Sequence, residues 1–375
     1  MTSKNQKKPS SNEGRDWSSL PKLPLSIISS HLDAISHVFF RSTCSAWHTF
    51  SPRQKLPLII LANHTNLKRY TSMAFFDIDF NLLFHLPKCS FEFGSYFCGS
   101  SHGYLVFLDP ASKLYLINPI TGHEIKLPKH NARYRKKKKF RGVHFQMKVA
   151  LSASPTDPQC IFAAISRSQN QVDVRTLTST SWKTLFSLDD QDEFQDIIFY
   201  KGYFYLCVGI ELYQLDLEAN GGSGMVVQVP LDVYASSDET DETDEADESD
   251  DDDDDSPRRS YLVEISGDLV MVFMYVNGDD YYEIFKVDFE KKRLEMIELG
   301  VEDLMFLGVS LGIGTSAKRY RECRNDSMLL TKLIKFSEEP AVFNVESLDI
   351  KHYLKRWHGI DQWDTLGWLI PNFLV

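Results

Sequence analysis

Apolar residues near the start of the chain recur at helical spacing. Leu25, Ile28 and Leu32 lie at positions i, i+3 and i+7, which together form one stripe of a helix. Ser36 and Thr43 are the predicted N-caps of two further short helices. Three short helices with this much apolar surface cannot bury it among themselves. The surplus is therefore expected to pack against the rest of the chain or against another protein.

From about residue 55 onward, the pattern changes to short apolar runs separated by Gly, Asn, Asp and Pro, which is typical of strands and turns. Six segments share one order: an apolar strand, a polar pivot and a second strand. These segments are 73–87, 113–128, 172–185, 211–230, 282–299 and 340–354. Their pivots lie near Asp77, Asn118, Leu177, Asp216, Asp288 and Asn344.

The spacing of the pivots indicates a repeat. Removing roughly 20 residues of charged insertion from each of the two longest gaps brings the spacing toward about 40–50 residues, the period of a propeller blade. The pattern therefore predicts a mainly β fold, a β-propeller of six or seven blades over residues 55–375. The C-terminal DTLGWLIPNFLV is a candidate closing strand. A β-sandwich or an irregular β-barrel is the alternative.

Charged residues are distributed unevenly along the chain. The net charge is −11, yet residues 238–255 hold 14 acidic residues and no basic ones, so without that tract the remainder would carry +3. We predict a disordered acidic loop at residues 236–257, because like charges repel and nothing apolar is present to bury. A basic loop at 131–141 carries seven cations. Residues 1–16 are a polar, disordered lead-in.

These two loops leave several roles open. The basic loop suits a solvated surface segment, a nuclear localisation signal or a phosphate-contacting patch. The acidic loop suits a solubilising spacer, a tether for basic partners or an electrostatic mask over the basic loop.

The sequence contains no recognisable catalytic or metal-binding motif. Six scattered cysteines form no close pair suited to zinc or to a redox site. We find no Walker loop, no G-x-S-x-G and no H-E-x-x-H. The expectation is a non-catalytic protein without metal or cofactor. No apolar run approaches a membrane span and no signal peptide is apparent, which indicates the nucleus, the cytoplasm or both.

The spacing of Leu20-Pro21, Leu25, Ile28, Leu32, Arg41, Cys44 and Trp47 resembles an F-box, and we assign residues 17–52 to it. The segment GSSHGYLVFLDPASKLYLINPITGHEIKLP, residues 99–128, resembles the first marked repeat of the plant F-box-associated β-propeller family. The order of F-box then propeller also matches that family. A helical subdomain packed on the body of the protein is the alternative for residues 17–52.

The resemblance implies a substrate-recognition subunit of an SCF-type (Skp–cullin–F-box) E3 ubiquitin ligase. The F-box would bind the Skp adaptor, and through it the cullin and the RING protein, while the propeller would bind an unknown protein target. Nucleic-acid binding is not expected on this view. The rivals are a propeller interaction module outside any ligase, an enzyme with its site in the propeller channel, and a nucleic-acid-associated factor using the basic loop. The implied adaptor contacts are Leu20, Pro21, Leu25, Ile28, Leu32, Val38, Cys44 and Trp47.

Overall fold

A computed structural model gives the fold of most of the chain. It describes residues 16–49, 57–64, 70–77, 80, 82–85, 95–130, 147–166, 169–188, 192–218, 224–232, 257, 259–277, 279–297, 303–307, 312–316, 327–330, 341–344, 349–352 and 363–369. Four short helical segments come first: η1 (Trp17–Ser19, a 3-10 helix), α1 (Lys22–Ser30), α2 (Ala34–Ser42) and α3 (Ser45–Thr49). The α-helices number three in this part of the chain, as predicted.

The helix caps differ from the predicted ones. Asp33 is the N-cap of α2, and its Oδ1 accepts a hydrogen bond from the N–H of Ser36 at 2.8 Å. Ser36 is therefore the third residue of the helix. Its backbone N–H donates a hydrogen bond to the capping side chain, whereas an N-cap serine would accept one through its hydroxyl oxygen. Thr43 is the C-cap of α2. Both predicted caps were wrong. α2 begins after Asp33, an equally good capping residue upstream of Ser36. Thr43 lies at the end of α2, two residues before α3 begins at Ser45.

Twenty-five strands follow in the described residues. They are β1 (Leu58–His64), β2 (Tyr70–Asp77), β3 (Leu82–Phe84), β4 (Tyr96–Ser101), β5 (Tyr104–Leu108), β6 (Lys113–Ile117), β7 (Glu124–Lys129), β8 (Met147–Leu151), β9 (Ile161–Ser166), β10 (Gln171–Thr176), β11 (Lys183–Ser187), β12 (Phe194–Tyr200), β13 (Tyr203–Val208), β14 (Glu211–Asp216), β15 (Met225–Gln228), β16 (Arg259–Ile265), β17 (Asp268–Asn277), β18 (Asp279–Asp288), β19 (Arg293–Met296), β20 (Asp303–Leu307), β21 (Gly312–Ser316), β22 (Ser327–Leu330), β23 (Ala341–Asn344), β24 (Asp349–His352) and β25 (Trp363–Leu369).

The strands form the antiparallel sheets of a β-propeller. Five sheets have four strands each: β25-β1-β2-β3, β4-β5-β6-β7, β8-β9-β10-β11, β12-β13-β14-β15 and β16-β17-β18-β19. These five have the regular blade arrangement, fewer than the six or seven predicted. The remaining described strands form a five-stranded sheet, β21-β20-β22-β23-β24, in which β20 and β22 run parallel.

The innermost strands of the five regular blades are β25, β4, β8, β12 and β16, and the ring closes through these strands. β4, β8, β12 and β16 contact one another in that order, and β25 contacts both β4 and β20. β25 also pairs antiparallel with β1, with Leu369 opposite Leu58 and Trp363 opposite Asn63. The C-terminal strand therefore completes the blade that β1 begins, which confirms its predicted role as the closing strand.

The repeat predicted from the sequence corresponds to one part of each sheet. Every one of the six predicted segments overlaps the last two strands of its sheet, from β2–β3 to β23–β24, and each of these pairs is antiparallel. The polar pivots explain the turn between them. In Asn118, Asp216 and Asp288, Oδ1 accepts hydrogen bonds from backbone N–H groups two or three residues further on, which holds the chain in a tight turn.

Buried apolar side chains fill the space between neighbouring sheets. One core cluster joins the first and second sheets through Leu58, Phe75, Leu105 and Phe107, and further clusters lie along the next sheets. Neighbouring sheets bury their faces against each other, so the propeller depends on a complete ring.

Candidate functional site

The helical module, residues 16–49, has one face turned inward to the propeller. Ala34, Ile35 and Val38 of α2 belong to the core cluster that joins the first two sheets, and all three are buried. They pack in the same cluster as Leu58 and Ile120. This face of α2 is therefore used within the chain.

The helical module also carries large exposed apolar side chains on η1, α1 and α2, which we together call the outer apolar surface. Large hydrophobic side chains are costly to leave in water and mark interaction sites when they are grouped. Five occur within 23 residues of chain, and they alternate with residues that are buried. They are Trp17 (59% exposed), Leu23 (70%), Ile27 (53%), Ile28 (41%) and Phe39 (52%).

Internal contacts order the module. The rings of Phe40 and Trp47 stack with centroids 4.6 Å apart, and the indole N–H of Trp47 donates to the carbonyl oxygen of Trp17 at 3.2 Å. A guanidinium nitrogen of Arg41 donates to the carbonyl oxygen of His48 at 3.3 Å. These contacts tie η1 and α3 to α2, so that the outer apolar surface rests on an ordered support.

The eight predicted adaptor contacts differ in their exposure to solvent. Pro21 and Ile28 are exposed. Leu20, Leu32, Cys44 and Trp47 are half-buried. Leu25 and Val38 are buried, at 4% and 9% exposure, and pack within the chain. Their role in adaptor binding stays a prediction.

Sequence reasoning missed Trp17, Leu23, Ile27 and Phe39 as members of this surface. Leu23 and Ile27 are four residues apart and thus share a second helical stripe. That stripe was a usable signal, but choosing which stripe faces outward requires knowing what covers the other one.

Two buried polar pairs connect neighbouring sheets of the ring. Nζ of Lys148 on β8 forms an ion pair with Oδ1 of Asp196 on β12. Oδ2 of Asp196 also accepts the backbone N–H of Leu262 on β16 at 3.0 Å. Burial lowers the pKa of Lys148 to about 7, and the positive charge of Arg259 acts in the same direction. The adjacent Asp196 carboxylate opposes that shift by favouring the charged amine.

The second pair joins the second and third sheets. Nε2 of His130 lies 2.9 Å from Oδ2 of Asp173, and both side chains are almost completely buried. Burial alone would raise the pKa of Asp173, but hydrogen bonds from His130 and Thr184 outweigh it and hold the pKa below its usual range. Each carboxylate has a partner within the fold, so these groups stabilise the ring.

The described residues hold buried free thiols but no cluster suited to a metal ion. Among them, no group of three or more His, Cys, Asp or Glu side chains could hold a metal ion. Cys98, Cys160 and Cys207 are buried free thiols, and burial raises the pKa of Cys207 to about 12. None of the helices in this part of the chain is long and apolar enough to cross a membrane.

The basic and acidic loops lie outside the described residues, except for Pro257, but the strands that flank them are described. The basic loop connects β7 to β8 and the acidic loop connects β15 to β16. Each thus joins the outermost strand of one sheet to the innermost strand of the next. Because strand direction alternates within each sheet, the strand ends that flank the two loops lie on one face of the ring. The start of β1 and the end of β2, beside α2, lie on the opposite face.

Deletion of Asp238–Asp255 is expected to leave the fold intact and to change the binding of polyanions. Surface loops tolerate changes of length at small entropic cost, and the net charge would change from −11 to +3. If the acidic tract masks the basic loop, the variant should bind heparin or RNA more tightly than wild type at low salt. That difference should fade toward ~0.15 M salt, where the Debye length is about 8 Å. Equal affinities at low salt would leave the tract as a spacer.

A family model, a relative and a solved structure are similar to this chain. A family model described as the KIB1-4 beta-propeller matches residues 75–353. A protein of Arabidopsis thaliana, named as a candidate F-box protein, is 28% identical over 120 residues, which are 30% of this chain and 30% of that relative. A chain in the crystal structure of a nidogen/laminin complex matches with a TM-score of 0.40 at 9% identity, covering 84% of this chain and 96% of that one.

The family match covers well over half of the chain, and the matched residues include four of the five regular sheets in full. Together with the relative, it confirms the resemblance to plant F-box proteins with a propeller domain that residues 20–47 and 99–128 indicated. The chain belongs to the KIB1-4 β-propeller family.

Proposed function

We propose that this protein is the substrate-recognition subunit of an SCF-type E3 ubiquitin ligase. The observation that supports this most strongly is the outer apolar surface of the helical module, which is exposed while Ala34, Ile35 and Val38 of α2 pack into the propeller core. Grouped exposed aromatic and aliphatic side chains of this kind suit a hot spot for a protein partner. The partner is the Skp adaptor, which links the chain to the cullin and the RING protein.

The propeller would bind the protein target. We infer that the five-stranded sheet takes the sixth place in the ring, between β16 and β25, because β16 contacts β20 and β21 and β20 contacts β25. The protein contributes proximity and no bond chemistry of its own, by holding a target lysine at high effective concentration near the ubiquitin-conjugating enzyme. It acts in the nucleus, the cytoplasm or both.

Introducing charge on the outer apolar surface tests the adaptor proposal. Leu23→Lys combined with Ile27→Lys should weaken binding of purified Skp adaptor to the full chain by at least about thirtyfold, since losing a buried hot-spot side chain costs about 2 kcal/mol or more. Both side chains are exposed, so the fold should be retained. Binding is measured by calorimetry, and folding by circular dichroism.

A matched control separates this surface from exposed apolar residues elsewhere. Met296→Lys on β19 also replaces an exposed side chain, 66% accessible, but lies far along the chain from the helices. It should bind the adaptor as wild type does. Leu20→Ala with Pro21→Ala should reduce binding in the same direction as the lysine pair. Wild-type affinity in the lysine double variant would refute the adaptor assignment.

A further inference from the structure

Asp77 differs from the other pivots because its carboxylate serves two elements. It lies at the end of β2, is 2% exposed, and its Oδ1 accepts the backbone N–H of Phe80 at 3.3 Å in the turn that follows. Its Oδ2 accepts the backbone N–H of Ala34 at 2.8 Å. Ala34 is the first residue of α2, 43 positions earlier in the chain. A propeller strand therefore caps a helix of the helical module.

The equivalent side chains in other sheets show how many acceptor oxygens the turn itself requires. The Oδ1 atoms of Asn118, Asp216 and Asp288 accept N–H groups of their own turns, as Oδ1 of Asp77 does. Asn118 performs this turn-capping role with an amide, so the turn needs only one acceptor oxygen. The second carboxylate oxygen of Asp77 is thus available for the helix.

The geometry at the start of α2 suits this use. The first N–H groups of a helix have no partner within the helix. Asp33 satisfies the N–H of Ser36 from within the module, and Asp77 satisfies that of Ala34 from the propeller. Two carboxylates at this end also interact favourably with the helix dipole.

Apolar packing extends the contact between α2 and the first blade along the helix. Ile35 and Val38, one and four residues after Ala34, lie on the buried face and share a core cluster with Leu58 and Phe75. Helix and blade are therefore joined by a directional hydrogen bond and by a packed apolar face. Such a joint has one preferred orientation, unlike a flexible linker.

We infer that Asp77 is a positioning residue that fixes the helical module on the first blade, so that a partner bound to the outer apolar surface is held at one orientation to the propeller. The part of this inference that concerns a bound partner rests on the proposed adaptor function. The joint itself rests on the contacts of Asp77 and α2 alone.

Asp77→Asn separates the two roles of the carboxylate. Asparagine keeps one acceptor oxygen for the turn, as Asn118 does, but places an NH2 group where Oδ2 accepted the N–H of Ala34. In the full chain, amide hydrogen exchange over residues 34–38 should become about tenfold faster or more, the change expected when a hydrogen bond to a charged acceptor is lost. Exchange in β12 should stay unchanged. Adaptor affinity should stay within about threefold, since the outer apolar surface is untouched.

Asp216→Asn and Asp288→Asn are the matched controls, because they alter equivalent pivots whose carboxylates accept N–H groups of their own turns. They should leave exchange in α2 at the wild-type rate. Ala34→Pro is the second variant if Asp77→Asn does not fold. Proline is well tolerated at the first helical position and removes the donor instead of the acceptor, so exchange over residues 35–38 should rise here too.

Wild-type exchange in α2 of Asp77→Asn, or an equal rise in the controls, would overturn the inference. Faster exchange in α2 combined with no adaptor binding by wild type would uphold the joint and refute the proposed function. The two failures are therefore distinguishable.

Discussion

A chain that ends at Gln362 should fail to form a stable propeller. This truncation removes β25, the innermost strand of the first sheet, which pairs with β1 along its length and contacts β4 and β20 on either side. Leu58, Ile59 and Ile60 of β1 are fully buried in the intact protein and would lose part of their cover. At about 1.5–3 kcal/mol for each fully buried side chain, the loss approaches the whole stability of a typical domain, about 5–15 kcal/mol.

The measurement is solubility together with thermal unfolding. We expect aggregation, or a melting temperature lower by 10 °C or more, the order of shift that several kcal/mol produce. A chain that ends at Ile370 is the matched control, since it keeps β25 intact and should melt as the full chain does. A peptide of residues 361–375 added in trans should partly restore the truncated protein, because it can complement the open edge of β1. A soluble truncated chain with unchanged melting would contradict the closing role of β25.

The repeat could be predicted from the sequence because its signal is local. A polar pivot between two apolar strands needs only a few consecutive residues to be recognised, and Asn and Asp at that place cap the turn with their own side chains. This is why all six predicted segments coincide with the last two strands of a sheet. The third sheet shows the limit of the pattern, since Thr176 and Ser179, whose hydroxyl groups are 2.7 Å apart, occupy the turn next to Leu177.

A second local signal in the sequence marks the turn between the first two strands of a blade. The turns between the first two strands of three sheets contain a residue followed by glycine, both with positive φ, as two-residue hairpin turns require. The pairs are His102-Gly103, Lys201-Gly202 and Ser266-Gly267. Each is followed by an apolar strand, so the pattern marks the inner hairpin of a blade as clearly as the pivots mark the outer one.

Contacts between distant parts of the chain could not be predicted in this way. The burial of Val38 and the capping of Ala34 by Asp77 depend on residues 20 or more positions away. Helical periodicity identifies stripes on α1 and α2 but contains no information about which stripe another element covers. The adaptor contacts expected at Leu25 and Val38 came from family resemblance, which does not include the packing of this helix on this propeller.

The same reason explains why the sequence did not reveal the charged pair inside the ring. Lys148 and Asp196 lie in separate strands, and each looks like the polar member of an alternating pattern. Only closure of the ring brings β8, β12 and β16 side by side. A single carboxylate then connects three sheets, through the amine of Lys148 and the backbone N–H groups of Ile197 and Leu262.

Asp196→Ala is therefore expected to destabilise the propeller strongly. The substitution leaves the amine of Lys148 buried without a counter-charge and leaves the N–H of Leu262 without its acceptor. Removing one member of a buried ion pair typically costs about 3–5 kcal/mol, because the remaining charge is not solvated. Chemical denaturation at pH 7 should show this loss as a lower midpoint with an unchanged slope.

A double-mutant cycle distinguishes loss of the pair from simple damage to the core. Lys148→Met with Asp196→Asn removes both charges and keeps an amide oxygen to accept the N–H of Leu262, so it should cost clearly less than the sum of the two single variants. Asp268→Asn is the exposed control. Its partner Lys286 lies 2.7 Å away with both side chains more than a third exposed, and such surface pairs contribute about 0–1 kcal/mol. Strictly additive costs at Lys148 and Asp196 would mean that the two residues stabilise the ring independently and that the ion pair does not couple the blades.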